Sequence, residues 1–290
     1  MMQTEQNPAA AGGPAQGAGG KAPWALENLP PFSPVAMRLV ALLSDEDVHV
    51  DQVSRFIAAE PVFAARVLQL ANSPLFALQR QVTSIPQAVI VIGLERVKAI
   101  ALTRALGDFV APVLRRKALA ACWRNTLAGA VLAEALAPLY QADAGAAYTA
   151  GLLRDIGRLA LIVKYPEAYT NAIEIARDGG AGLAETERNL FDIDHCEAGR
   201  WVVERMFLPE EISRCVVHHH DAELPEGWDL VHLVRTADRL ADALGYGIVP
   251  GAPQRPPAEV LEEAPGASRR ARIQLEDLER EVERRISALL

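Results

Sequence analysis

Two stretches rich in glycine and proline frame about 220 residues that contain no convincing strand-turn-strand pattern. That frame constrains the fold more than any other feature of the chain. Residues 1–27 are mostly Gly, Ala, Gln and Pro. They carry too little apolar surface to offset the entropy of ordering, so a disordered tail is expected there. Residues 247–270 set Pro250, Pro253, Pro256, Pro257 and Pro265 among Gly and charged residues, and read as a linker.

Helix signals recur between these breaks. Ser33-Pro34 joins a cap to a first-turn proline ahead of Val35, Leu39, Val40, Leu42 and Leu43. Pro61 opens a second segment, with Val62, Ala65, Val67, Leu68 and Leu70 on one stripe up to Asn72-Ser73, and a helix at about 50–59 precedes it. Ser84 caps a short helix through Ile92, stopped by Gly93. Its core, Val89-Ile90-Val91-Ile92, is β-branched and would suit a strand, but its length and flanks favour helix. Further helices are expected at 94–106, ended by Gly107, then at about 116–138, 144–164, 166–178, 195–206, 209–220 and 228–244. The final segment, 271–290, lines up Leu275, Leu278, Val282, Ile286 and Leu289. It reads either as a helix docked on its own domain or as a short coiled-coil seam, the latter making a homodimer.

Half the 290 residues are hydrophobic, enough for a sizeable core. The formal net charge of −8 offers no global attraction to nucleic acid or to an anionic membrane. No apolar run approaches the roughly 20 residues needed to span a bilayer, and no signal peptide is visible at the N-terminus. Cys122, Cys196 and Cys215 form no CxxC pair and read as inert thiols of a cytoplasmic protein.

Two sets of motifs carry a family resemblance. The first comprises Leu29-Pro30-Pro31-Phe32-Ser33-Pro34-Val35, Ala59-Glu60-Pro61, the run Ala64 to Ser73, Val82-Thr83-Ser84-Ile85, Gln87-Ala88 and Ile92-Gly93-Leu94. The second comprises Trp123-Arg124-Asn125-Thr126-Leu127, Gly151-Leu152-Leu153-Arg154-Asp155-Ile156-Gly157, Asp194-His195-Cys196-Glu197-Ala198-Gly199, His219-His220-Asp221 and Ala237-Asp238-Arg239-Leu240-Ala241. In this order they resemble the two halves of the HDOD family, the HD-related output domains of bacteria. The resemblance implies an all-α, two-lobed fold over residues 28–246. The N-terminal helical lobe would occupy 28–112 and a degenerate HD-like lobe 113–246, followed by the linker 247–270 and an amphipathic helix over 271–290.

The resemblance also implies where a metal would sit in an active relative. HD phosphohydrolases use a His, a His-Asp pair and a later Asp to hold a divalent ion, which lowers the pKa of its bound water. Here Asn125 stands at the first His, and its amide is a poor ligand beside imidazole. Arg154 stands at the second, and a guanidinium has donors only. Asp155 and Asp238 keep the carboxylates. His195, His219 and His220 match the extra histidines of two-metal relatives. With two of four ligands gone no metal or other cofactor is expected, the weak candidates for one being His195, His220 and Asp238. Arg154 is expected to supply the positive charge itself, paired with Asp155 or Asp238. On one helix the run His218-His219-His220 would spread its side chains about 100° apart, so at most two would face the old site.

The bases of the N-terminal half, Arg66, Arg80, Arg96, Lys98, Arg104 and Arg115-Arg116-Lys117, read as solvated helix faces. A phosphate or cyclic-dinucleotide surface is the sharper alternative, but no aromatic side chains are interleaved for stacking. Arg66, Asn72 and Ser84 are expected to be structural. The resemblance implies a signalling or regulatory role, and with Asn125 and Arg154 in place of histidines the expectation is a non-enzymatic cytoplasmic protein without a catalytic residue. It would act through a protein partner or a cyclic dinucleotide, and bind neither nucleic acid nor membrane. The alternative is a metal-dependent phosphodiesterase with an atypical site of Asp155, His195, His219, His220 and Asp238.

Overall fold

The computed structural model describes residues 23–29, 49–59, 61–72, 80–180, 182–206, 208–221, 223–224 and 226–289, apart from the side chains of Val62 and Arg66. The helix expected at 33–43 lies outside the described residues, as does the tail up to residue 22. The described residues are helical and contain no strand, so the fold is all-α.

Among the described residues, four helices build the N-terminal part: α1 (Val50–Ala58), α2 (Pro61–Ala71), α3 (Ile85–Ile92) and α4 (Leu94–Val110). The Ser84 side chain accepts from Gln87 N at the start of α3, and Gly93, at φ 91°, ends it. Asn72 ties the end of α2 to the chain before α3. Its Nδ2 donates to the Leu68 and Val82 carbonyls, both at 2.8 Å, and its Oδ1 accepts from Val82 N at 2.7 Å. Asn72 and Ser84 are structural, as expected. Val53, Ile57, Phe63, Val67, Val89 and Ile92 form the small core of this lobe.

Helix α4 belongs to both lobes. Val97, Ala101 and Ala105 enter the small core, while Leu102, Leu106 and Val110 enter the large one. It therefore runs past Gly107, where the sequence predicted a stop. A Cβ on Gly107 would only touch Trp123, at 3.5 Å, so the small residue serves packing against the next helix.

The large core surrounds α5 (Lys117–Tyr140), which packs along α6 (Ala144–Leu153) and α12 (Leu230–Ala241). Around them lie α7 (Ile156–Lys164), α8 (Pro166–Gly179), α9 (Leu183–Phe191), α10 (His195–Met206) and α11 (Glu210–His218). Two expectations are corrected here. The segment 144–164 is two helices, broken at Arg154-Asp155, because both side chains turn into the protein and meet buried partners. The helix α9 was not expected. Its polar sequence hides it, yet Thr186, Glu187 and Phe191 are buried.

The termini are also more ordered than the composition implies. Trp24–Leu26 form a 3₁₀ turn whose Ala25 and Leu26 are buried in the large core, and Trp24 Nε1 donates to Asp192 at 2.6 Å. Residues 23–27 therefore belong to the folded part and not to the tail expected over 1–27. The region 247–270 contains α13 (Pro257–Glu262) and α14 (Ala267–Arg270), and Val260, Leu261 and Ala264 are buried. It is part of the packed domain rather than a linker: three apolar side chains outweigh the breaking effect of the prolines, one of which begins α13. Finally α15 (Leu275–Leu289) docks on α5 through Leu278, Val282 and Ile286.

Candidate functional site

The centre of the large lobe is built by five elements. Helix α5 brings Asn125 and Gly129 to one face, because residues four apart share a face. The α6–α7 junction brings Arg154 and Asp155, α12 brings Asp238, and α10 with the turn after α11 brings His195, His219 and His220.

Arg154 is fully buried and all its donors are engaged. Nε donates to Asp238 Oδ1 at 2.8 Å. Nη1 donates to the carbonyls of Gly151 at 2.7 Å and Thr126 at 3.3 Å. Nη2 donates to Asn125 Oδ1 at 2.6 Å and to its carbonyl at 3.1 Å, and lies 3.2 Å from Asp155 Oδ2. The cation also closes the C-terminal end of its own helix, where free carbonyls favour positive charge. The sequence offered Asp155 or Asp238 as its partner, and the structure gives it both. Burial alone would lower the Arg154 pKa, but Asp155 and Asp238 outweigh this and raise it above the ordinary value.

A second arginine completes the arrangement. Arg158 is buried and donates from Nη1 to Asp155 Oδ1 at 2.6 Å, from Nε to the Tyr169 hydroxyl at 3.1 Å, and from Nη2 towards His195 Nε2 at 3.0 Å. Glu187 backs this layer. It accepts from the Tyr169 hydroxyl, from His195 N at 2.9 Å and from His195 Nδ1 at 2.6 Å. Burial pushes the Glu187 carboxyl up, but His195, Arg158 and Tyr169 together hold it at about 2. For Asp155, burial is likewise outweighed, by Arg158, Arg154 and His219, and its pKa lies well below the usual carboxylate range.

Sequence reasoning did not single out Arg158, Tyr169, Glu187 or Gly129. A signal existed for two of them. Arg158 follows Asp155 by three residues, a spacing that suits an ion pair, and Gly129 follows Asn125 by four on one helix face. Tyr169 and Glu187 come from α8 and α9, and only the tertiary fold brings them in.

The histidine run does not lie on one helix. Helix α11 ends at His218, whose ring pairs with Asp221 at 2.7 Å on the surface. His219 and His220 follow in a turn with ring centroids 4.1 Å apart, and both approach His195, at 5.7 and 5.0 Å. The cluster with metal-ligand spacing is therefore Asp155, His195, His219 and His220. This differs from the candidates His195, His220 and Asp238: Asp238 gives one oxygen to Arg154, and its other lies 3.8 Å from His220 Nδ1.

Asn125 has become a relay. Its Oδ1 faces Arg154 and its Nδ2 donates to Asp242 Oδ1 at 3.2 Å and to the Tyr246 carbonyl at 3.1 Å. Burial, then the nearby Asp238, raise the Asp242 carboxyl to about 7. The position spanned by Asn125, Arg154, Asp155 and Asp238 does not fit a metal ion, because the Arg154 guanidinium sits among the other three with its donors satisfied.

Four of the N-terminal bases pair with acids. Arg96 lies 3.2 Å from Glu134, Lys98 2.9 Å from Glu95, Arg104 3.0 Å from Asp108 and Arg116 2.9 Å from Glu167. Cys122 and Cys215 are buried and all three cysteines are free thiols. Among the described residues no helix is long and apolar enough to cross a membrane.

The described residues thus build an all-α lobe with an Asp-centred site at the junction of two short helices. The HDOD domain model matches residues 29–222, and the chain belongs to the HDOD family. Solved structures share the fold. An HDOD domain protein of unknown function from Geobacter sulfurreducens is 24% identical, with TM-score 0.64, covering 90% of this chain and 91% of that one. A candidate phosphohydrolase from Shewanella amazonensis SB2B is 21% identical, with TM-score 0.62 and coverages of 89% and 91%. A candidate signal transduction protein from Marinobacter aquaeolei VT8 is 21% identical, with TM-score 0.66, covering 91% of this chain and 59% of that one. An uncharacterized protein of Treponema pallidum (strain Nichols) is 22% identical over 199 residues, and the match spans 38% of its length.

Proposed function

We propose that this HDOD protein is a non-enzymatic regulatory module that acts by binding a signalling protein, its HD-like lobe serving as a rigid platform. The observation that carries this reading is the Arg154 guanidinium, buried among Asn125, Asp155 and Asp238 with every donor engaged. Metal-assisted hydrolysis needs an ion with an open position for water. A guanidinium has no orbital to accept a water oxygen and no means of making hydroxide at neutral pH. A cyclic dinucleotide is the secondary candidate ligand. It has less support, because the bases Arg96, Lys98, Arg104 and Arg116 are paired with acids.

The second reading, a phosphodiesterase with an atypical site, is favoured by the grouping of Asp155 with three histidines. Purified protein loaded in turn with manganese, iron and zinc, and assayed on bis(p-nitrophenyl) phosphate and cyclic di-GMP, separates the two. The regulatory reading predicts no turnover above the metal-only control. Turnover that disappears in Asp238→Ala would reverse the order of the readings. A protein captured from the native cell, purified and re-bound in a defined stoichiometry, is the positive result the platform reading requires.

A further inference from the structure

We infer that the chain holds a divalent transition-metal ion, of the class that zinc represents, on His195, His219 and His220 with Asp155 as the fourth donor. The site lies beside the arginine-filled position and shares Asp155 with it, Oδ2 facing Arg154 and Oδ1 facing the histidines.

The donors already converge. One ligand atom from each of the four residues lies within 4.8 Å of the others. His195 Nε2 and His219 Nε2 each lie 3.7 Å from Asp155 Oδ1. Small side-chain shifts would bring such a set to the distances of about 2.0–2.2 Å at which zinc binds imidazole and carboxylate.

The imidazoles are also oriented from behind, as ligating histidines are. His219 Nδ1 faces the carbonyls of Cys215 at 3.0 Å and Val216 at 3.2 Å. A carbonyl accepts only, so Nδ1 carries the proton and Nε2 keeps its lone pair. That Nε2 is buried and has no hydrogen-bond partner. A buried acceptor left unpaired is costly, and a metal ion in the cluster would satisfy it. His195 is held in the same manner: Nδ1 faces the Glu187 carboxylate at 2.6 Å, so Nε2 points into the cluster.

Charge favours a cation. Asp155, Asp238 and Glu187 face only two guanidinium groups, Arg154 and Arg158. With the imidazoles neutral, the form in which they ligate, one buried negative charge is left over, and uncompensated buried charge is unfavourable. The contact that competes with the ion is Arg158 Nη2 on His195 Nε2, at 3.0 Å. Arg158 keeps Asp155 and Tyr169 when it gives up that nitrogen, so its charge stays paired. Binding of an ion here implies no turnover, because the neighbouring position is filled by Arg154.

The test uses the full chain, stripped of metal and titrated with zinc, then with cobalt as a coloured probe. One equivalent is expected to bind, to raise the melting temperature, and with cobalt to give the visible absorption of a low-coordinate nitrogen and oxygen site. His219→Ala is expected to abolish stoichiometric binding. His220→Gln, at an exposed ring that the fold does not need, is expected to weaken it by at least about ten-fold, the scale at which even supporting residues of metal sites act. His218→Ala, whose ring faces solvent, is expected to bind as wild type does. Failure of wild type to retain one equivalent, or binding left intact in both His219→Ala and His220→Gln, overturns the inference. Zinc binding without turnover supports the site and leaves the regulatory reading standing. Zinc-dependent turnover supports the site and overturns that reading.

Discussion

Gly129 and Arg154 are fitted to each other. A Cβ on Gly129 would lie 2.5 Å from Arg154 Cζ and 2.8 Å from Nη2, so the space a side chain would take on α5 is filled by the guanidinium from the α6–α7 junction.

The fit gives a sign reversal to look for. With Arg154 present, Gly129→Ala displaces a buried cation from its carboxylates and is expected to cost about 3–5 kcal/mol. With Arg154→Ala in place, the same change meets open space, and alanine's helix preference over glycine is expected to stabilise by up to about 1 kcal/mol. Urea denaturation of the four proteins in this cycle checks it. Additive effects would mean that the two residues are not matched.

Arg154→Ala by itself is expected to destabilise by about 3–5 kcal/mol, since it leaves Asp155 and Asp238 buried with less compensation. Arg154→Lys is expected to recover only part of this. An ammonium cannot reach the Gly151 and Asn125 carbonyls, Asn125 Oδ1 and Asp238 together, as the planar fork does. A melting temperature for Arg154→Lys equal to that of wild type would contradict the geometry.

Tyr169→Phe removes the hydroxyl that accepts from Arg158 and donates to Glu187. The expected loss is about 1–3 kcal/mol, the cost of leaving buried polar groups unsatisfied. Chemical denaturation measures it, and a loss below about 0.5 kcal/mol would place the hydroxyl outside the network, since such small effects are usual for substitutions away from it.

Asp242 makes stability depend on pH near neutrality. Its carboxyl is raised from the usual 3.8 to about 7, first by burial and then by Asp238. Between those values the folded chain keeps a proton that the unfolded chain has lost. The stability from that proton is full below the unfolded value and is lost as pH rises through about 7. Asp242→Asn keeps an oxygen for Asn125 Nδ2 and removes the ionisation. Melting curves from pH 5 to 9 are expected to show wild type falling up to about pH 7 and levelling beyond it, with the variant falling less over that range. Parallel curves would rule Asp242 out as the source.

The thiols are expected to stay silent. Burial raises all three pKa values, to about 12 for Cys122 and higher for Cys196 and Cys215, so little thiolate forms at neutral pH. Labelling with a chromogenic disulfide is expected to be negligible in the native protein and complete for three thiols in denaturant.

Much of the fold was legible because helix caps are local. Ser84, Gly93 and Pro61 marked boundaries that the structure keeps. The mistakes came where tertiary burial overrode composition. The prolines around 250–265 suggested a linker, and the apolar content of Val260, Leu261 and Ala264 was too sparse to argue otherwise. Helix α9 is hidden in the sequence because its buried Glu187 looks like a surface residue until Tyr169 and His195 come to meet it. At the site, Asn125, Arg154 and Asp155 could be placed from motif positions. The arrangement of His218-His219-His220 could not, because it depends on α11 ending at His218.

Helix α4, with Val97 and Ala101 in one core and Leu102 and Leu106 in the other, also limits how this module can be reused. A cut near residue 112 would leave the C-terminal piece without the face that α4 supplies, while the N-terminal piece would carry that face bare. Gene fusion or domain shuffling can therefore move the two lobes only as one cassette, and a strain applied to either lobe is felt along the same 17-residue rod.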